Sequence, residues 1–478
     1  MLLKFDTTQV SRKLTRLRGN GLAARARLLL LSAVKRGCGG NEETSGETCH
    51  PRRFACRILR SNLFCRCWGF LNTVQSVTSA GTAGAGATAV GDDASTVWYN
   101  PAGLVLSQRS EVLISGGLSF PSTSFQNRGS TDAVGFPASG NSFTNSTASL
   151  LPSIFASLPI DDQLRVGIGV FVPFGQMSKY DSGWVGRYQV QQVSLKTIDV
   201  RPAVAYRING MWSVGGALDV QYAKFQGATA LDFGTLCFVS AACFAGPEGA
   251  DGRLVAPLTT WGVGYDFGVL IEPSADLRFG INYKSGIHGG FNGNAHFNVP
   301  AMATPLTAAG AFSDTSVTST LNFPQIVSLG AAWRIGEQWT ALVDASWTQW
   351  SDIQQFTLNF ANPTPAVSQP LHWHDSWRIA VGGIYRLADD TDLRAGFAFD
   401  QSPIGNQFRT ALLPGADDIT IGVGIRRRVS DSLEISLSYD YNREMDATLN
   451  LSQLGAGTLI GTVRQQFHTL GAQARWQF

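Results

Sequence analysis

Trp212-Ser213-Val214-Gly215-Gly216-Ala217-Leu218-Asp219-Val220-Gln221-Tyr222 alternates without a fault. Trp212, Val214, Gly216, Leu218, Val220 and Tyr222 fall on one face; Ser213, Gly215, Ala217, Asp219 and Gln221 fall on the other. A period of two belongs to a strand, whose successive side chains point to opposite sides. An aromatic closes each end of the apolar row. At ~3.4 Å per residue and ~45° tilt, eight to ten residues rise roughly 20–25 Å, the height of the lipid-facing band of a membrane barrel between its aromatic girdles.

The pattern recurs from about residue 110 onward. Trp261, Val263, Tyr265, Phe267 and Val269 alternate with Gly262, Gly264, Asp266 and Gly268. Leu433, Ile435, Leu437, Tyr439 and Tyr441 alternate with Glu434, Ser436, Ser438 and Asp440, and Trp377 and Tyr385 bracket another apolar row. The last strand sets Leu470, Ala472, Ala474, Trp476 and Phe478 against Thr469, Gln473, Arg475 and Gln477. Short polar turns, such as Ile160-Asp161-Asp162, Asn209-Gly210 and Gly336-Glu337, alternate with longer connections at 121–149, 226–257, 296–317 and 401–417. Short turns at one end and long loops at the other are the outer-membrane arrangement. Strand starts near 110, 151, 164, 191, 211, 258, 276, 318, 337, 375, 391, 418, 432 and 462 predict an all-β, fourteen-stranded antiparallel transmembrane barrel over residues 110–478.

Composition agrees. Gly is 52 of 478 residues, aromatics are 10% and charged residues only 15%, against a usual ~25% charged. No window approaches the ~18–20 apolar residues of a membrane helix. The net charge of +2 averages two unlike pieces. Residues 1–70 hold 14 of the 37 cations and four acids, a segment charge of +10 that leaves −8 for the other 408 residues. The charge is therefore no nucleic-acid signal. The basic segment also carries Cys38, Cys49, Cys56, Cys65 and Cys67, in no zinc spacing. Residues 1–68 read as an aberrant signal region, a start assigned too far upstream, or an extra domain; they are left outside the fold. Cys237 and Cys243 stand alone in the remainder and suit either a small disulfide or two reduced apolar residues.

Residues 75–104 do not alternate. They are rich in small residues, which suits close packing inside a barrel that would otherwise be an open hole. Gly84-x-Gly86-x-x-Ala89 mimics a dinucleotide fingerprint, but no strand precedes it and no βαβ unit surrounds it, so no cofactor is expected. Within this segment, Asp93-Ala94-Ser95-Thr96-Val97-Trp98-Tyr99-Asn100-Pro101-Ala102-Gly103-Leu104 resembles the D-A-S-T-x-x-x-N-P-A-G signature of the FadL-like transporters of long-chain fatty acids and hydrocarbons. Val172-Pro173-Phe174-Gly175, Trp184-x-Gly186-Arg187-Tyr188, Trp347-Thr348-Gln349-Trp350-Ser351 and Phe397-x-Phe399-Asp400-x-Ser402-Pro403 extend the likeness over roughly 69–478.

The resemblance implies an N-terminal hatch, residues 69–109, plugging a monomeric barrel of the Gram-negative outer membrane, with the mature chain starting near Gly69-Phe70. Asn100, Pro101, Ala102 and Gly103 would be its gate. A kink in the third strand, matched by Pro173, Phe174 and Gly175, would open the wall sideways. An apolar ligand would bind first at the long loops, through Phe233, Leu236, Phe238, Phe244, Met302, Leu306 and Phe312. Lipid and lipopolysaccharide would surround the barrel, and the terminal Phe478 would address the assembly machinery. The rival readings are an adhesin or another porin, or a barrel enzyme such as a lipase. No G-x-S-x-G is present; His372-x-His374 is the sole metal-like spacing and reads better as a hydrated pair.

Overall fold

The computed structural model describes residues 70–145 and 148–478. The basic segment, its five cysteines and Gly69 lie outside the described residues.

Fourteen antiparallel strands close a barrel. They are β1 (Glu111–Asn127), β2 (Ser149–Pro159), β3 (Leu164–Phe171, resuming as Gly175–Lys179), β4 (Gln192–Arg207), β5 (Trp212–Asp232), β6 (Asp251–Ser274) and β7 (Leu277–Lys284, extended by Gly290–Asn298). There follow β8 (Thr315–Thr320 and Ile326–Ile335), β9 (Trp339–Thr348 and Gln355–Phe360), β10 (Val367–Pro370 and Ser376–Ala388), β11 (Thr391–Asp400), β12 (Asp418–Ser430), β13 (Leu433–Glu444 and Ala447–Gln453) and β14 (Gly457–Gln477). Each pairs with its neighbour in sequence, and β14 returns to β1 from Glu111↔Gln477 to Asn127↔Gly461. Closure removes every free edge, which a sheet in lipid requires because an unpaired N–H has no water to meet.

The faces follow the alternation. Leu218, Trp261, Val263 and Leu470 face outward and Ser213, Asp219, Gln221 and Asp266 are buried in the lumen. The strands differ from expectation in length. Residues 226–232 and 251–257, expected as loop, continue β5 and β6 as strand; 121–127, 296–298 and 315–317 likewise belong to strands. Cross-strand pairing carries on above the lipid band because the inward row stays apolar there: Ala228, Ala230, Leu254 and Ala256 are buried. The expected loops at 226–257 and 296–317 shrink to their tips, whereas 401–417 holds no strand, as expected.

The lumen is filled by residues 70–106. Three single-turn helices, α1 (Val77–Ala80), α2 (Ala87–Val90) and α3 (Thr96–Tyr99), lead into a 3-10 helix, Pro101–Leu106. Helix α1 lies against β12, β13 and β14, α2 against β7 and β8, and the 3-10 helix against β4, β5 and β6. Inward-facing glycines let the backbone of this segment touch the wall: a Cβ on Gly280 would strike the Thr88 carbonyl, one on Gly396 the Thr82 carbonyl and one on Gly422 the Ala80 carbonyl. The small residues of the segment and the glycines of the wall are thus two halves of one close contact.

Candidate functional site

Strand β3 is interrupted where it meets the start of the hatch. Strand β3 stops at Phe171 and resumes at Gly175. Phe171 pairs with Asp199 and Gly175 with Lys196, so four steps on β3 face three on β4, the signature of a bulge. Pro173 has no N–H to offer a ladder. Thr197 holds one side of the break, its Oγ1 accepting from the Phe174 amide at 3.0 Å.

The polar groups freed by the break are met by the start of the hatch. The Asn72 amide donates to the Pro173 carbonyl at 2.7 Å, and the Gly175 amide donates to the Phe70 carbonyl at 2.8 Å. The Val172 carbonyl accepts from Asn72 Nδ2 at 3.2 Å and from Gln75 Nε2 at 2.9 Å. Phe70 itself is 2% exposed. Its ring lies 5.1 Å from Trp350, 5.8 Å from Trp373, and 5.9 Å from both Phe174 and Phe323.

Beside this cluster is a cavity of about 60 Å³, lined among others by Leu71, Trp98, Tyr99, Lys284, Trp350 and Arg378. A second, of about 80 Å³, is lined by Phe225, Leu254, Phe356, Leu358, Val367 and Leu412 among others. Both are far below the ~300 Å³ at which pockets for organic ligands begin. As the chain stands, each has room for a few waters and for no long hydrocarbon.

The Asn100-Pro101-Ala102-Gly103 turn anchors the other end of the hatch. Asn100 is fully buried; its Oδ1 accepts from the Ala102 amide at 3.1 Å, capping the 3-10 helix that Pro101 begins. Its Nδ2 donates to the Thr88 carbonyl at 2.9 Å and to the Val269 carbonyl of β6 at 3.0 Å. A Cβ on Gly268 would collide with Asn100 Oδ1, one on Gly215 with the Ala102 amide, and one on Gly103 with Thr96 Oγ1. The hydrogen bonds of this turn go to β6 and to the hatch itself, and those of the strand break go to residues 70–75. The two groups of residues singled out from sequence are therefore linked through the hatch, not directly.

A charge network ties hatch to wall. Arg201 on β4 donates to Asp266 Oδ2 at 2.8 Å, to Asp219 Oδ2 at 2.9 Å, and to the Trp98 carbonyl at 3.2 Å. Lys284 joins Asp266 at 2.9 Å. Both cations stand over the Trp98 ring, at 4.7 and 4.8 Å from its centroid. At the periplasmic end of the hatch, Asp92 meets Arg394 at 2.6 Å and Arg426 at 3.6 Å. Burial pushes the Asp92 carboxyl up, but these two guanidinium charges outweigh it and hold it well below the usual carboxylate range.

At the extracellular tips, Phe233, Leu236 and Phe238 sit on helix α4 (Phe233–Ser240), whose first turn Asp232 caps through the Thr235 amide at 2.9 Å. Cys237 and Cys243 are bonded to each other. Phe233 is fully buried and meets Phe312 at 5.2 Å, so these two join neighbouring loops and present no open surface. Phe238, Phe244 and Met302 are exposed, Leu236 marginally so, and Leu306 packs partly beneath. His372 turns to Gln354 at 3.2 Å and to the Phe408 ring, while His374 turns to the Asp375 carbonyl at 3.0 Å, so the pair does not converge on one point.

Sequence reasoning missed Arg201, Asn72, Gln75, Phe323 and Trp373. Phe174 and Trp350 belong to quoted motifs and Phe70 to the expected mature start, but local spacing does not show that they meet.

A closed fourteen-stranded barrel stoppered by its own N-terminal segment defines a transport barrel of the Gram-negative outer membrane. The chain belongs to the outer membrane protein transport protein family (OMPP1/FadL/TodX), whose sequence profile matches residues 64–478. It is 26% identical over 398 residues to a putative outer membrane protein of Neisseria meningitidis, spanning 78% of this chain and 85% of that one. It is 25% identical over 399 residues to a long-chain fatty acid transport protein of Escherichia coli, spanning 80% and 88%. In fold it is similar to a Pseudomonas aeruginosa FadL homologue, with TM-score 0.77 and 22% identity over 86% of this chain and 99% of that one. The Pseudomonas putida toluene transporter TodX shares the fold at TM-score 0.63 and 15% identity, over 84% and 97%.

Proposed function

We propose that this barrel passes hydrophobic small molecules, long-chain fatty acids or hydrocarbons, across the outer membrane without energy input, by withdrawal of residues 70–75 from the break in β3 and sideways exit through the gap. The observation that carries the reading is that the Val172 and Pro173 carbonyls and the Gly175 amide are hydrogen-bonded to the hatch. When the hatch start moves, those bonds and the Phe70 ring leave together, opening the wall and enlarging the cavity in one step.

Capture begins at the exposed Phe238, Phe244 and Met302, and the apolar cavity lined by Phe225, Leu254 and Phe356 widens to receive the ligand. Sideways exit keeps an apolar chain out of water, which is worth about 0.8 kcal/mol for each CH₂. No step requires a cofactor. The protein acts as a monomer, and Phe478, exposed at the end of β14, is the feature read by the assembly machinery.

The test is a reversible tether. Leu71 and Phe174 form an isolated antiparallel bridge, so a Leu71→Cys/Phe174→Cys pair sits where a disulfide closes. Oxidised cells are expected to lose uptake of labelled oleate or toluene, and reductant to restore it. Whichever ligand responds names the substrate. Undiminished uptake by the oxidised protein would refute exit past the hatch.

A further inference from the structure

Lys196 on β4 and Lys224 on β5 are register partners, directly opposite each other. Lys196 shares its face with Ile198 and Val200, and Lys224 shares its face with Leu218, Val220 and Tyr222, so both ammonium groups project from the outer wall. Their height is marked by Tyr222, whose ring meets that of Trp261 at 5.0 Å. These two form the upper aromatic girdle, one strand length above Trp212. Lys224 stands two residues beyond it, about 5 Å higher along the membrane normal, where lipid headgroups begin.

Like charges set directly opposite on adjacent strands destabilise a sheet. A third lysine, Lys179 on the resumed part of β3, is exposed on the same side, and among the described residues no carboxylate pairs with Lys179 or Lys224. Other exposed cations of the extracellular half do meet acids: Arg443 and Arg464 share Asp446 at 2.9 and 2.8 Å.

We propose that Lys196 and Lys224 form a binding site for a phosphate of the outer-leaflet glycolipid, lipopolysaccharide, on the outer wall beside the break in β3. A doubly charged phosphate between the two ammonium groups turns their repulsion into two charge-assisted hydrogen bonds. The site adjoins the gap because Gly175, where β3 resumes, is the register partner of Lys196. A lipid seated there has its headgroup above the break and its acyl chains along Ile198, Val200 and Val220. The inference rests on the barrel lying in the outer membrane and is independent of how ligand leaves it.

The test is native mass spectrometry of the full chain, stripped of lipid in mild detergent and titrated with bis-phosphorylated lipid A, dephosphorylated lipid A, inorganic phosphate and oleate. One bound lipid A is expected. Its affinity should fall by about tenfold or more in Lys196→Gln/Lys224→Gln, fall by a smaller factor in Lys224→Gln alone, and persist in Lys196→Arg/Lys224→Arg. Dephosphorylated lipid A should bind wild type as weakly as lipid A binds the double Gln variant. Folding of each variant is checked by the heat-dependent gel shift of the closed barrel. Equal binding of lipid A to folded wild type and double Gln variant would overturn the proposal. So would displacement by millimolar inorganic phosphate, which marks a free-anion site, or by oleate, which marks a carboxylate stop on the ligand's path.

Discussion

The amide of Gly175 donates to the carbonyl of Phe70 at 2.8 Å, so the backbone of the barrel wall is completed at its break by the first described residue of the hatch. A strand that borrows its pairing from a separate segment is closed only while that segment stays. The Phe70 ring reinforces the bond from the other side, held by two tryptophans and two phenylalanines.

Truncating that ring should therefore loosen the stopper and spare the barrel. Phe70→Ala removes a buried aromatic whose loss typically costs about 3–5 kcal/mol. Hydrogen exchange is expected to show faster exchange at Asn72 and Gly175, with the β1–β14 seam unchanged. If both amides stay as protected as in wild type, the aromatic cluster does not hold the hatch.

Arg201 is the central cation of the hatch–wall network, buried with Asp219 and Asp266. Arg201→Met leaves one of these carboxylates without its cation and the other with Lys284 alone. The expected loss is about 3–5 kcal/mol, as for other buried pairs broken on one side. A Tm measured in detergent should fall accordingly. An unchanged Tm would show that the network adds nothing net.

Two neighbouring glycine positions give opposite outcomes. Gly268→Ala drives a methyl into Asn100 and should expose the hatch to limited proteolysis. Gly216→Ala faces outward, its nearest neighbour the Asp266 carbonyl oxygen at 3.6 Å, and should leave the digestion pattern as it is. Similar digestion of both would mean that the turn has room the close contact denies.

Acid should act on the hatch late. The Asp92 carboxyl is held below its ordinary value, so its contribution is full above the unfolded pKa of 3.8 and is lost as pH falls through the depressed one. The Asp92 contribution to hatch protection is expected to be flat from pH 8 to 5 and to decline only well below pH 4. Asp92→Asn should remove that acid-dependent component. A decline already visible at pH 6 would point to another group.

The lipid-facing architecture was legible along the chain because it is local. A side chain alternates with its own neighbours, an aromatic at each end sets the height, and a short polar turn ends each hairpin. This is why the strand starts near 164, 391 and 418 coincide with Leu164, Thr391 and Asp418. The hatch signature was legible for the same reason, since Asn100 caps a helix that begins at the next residue.

What only the tertiary structure decided involves partners far apart in sequence. Arg201 sits in an ordinary alternating strand beside Pro202, and nothing local distinguishes it from a solvated lumen charge. Its partners lie on β5, β6 and the hatch, and barrel closure alone brings them together. Phe70 likewise finds Trp350 and Trp373 across hundreds of residues, and Lys196 faces Lys224 by strand register. Alternation determines which way a residue points; register and closure determine what it meets, because those pairings are made between strands that no local spacing aligns.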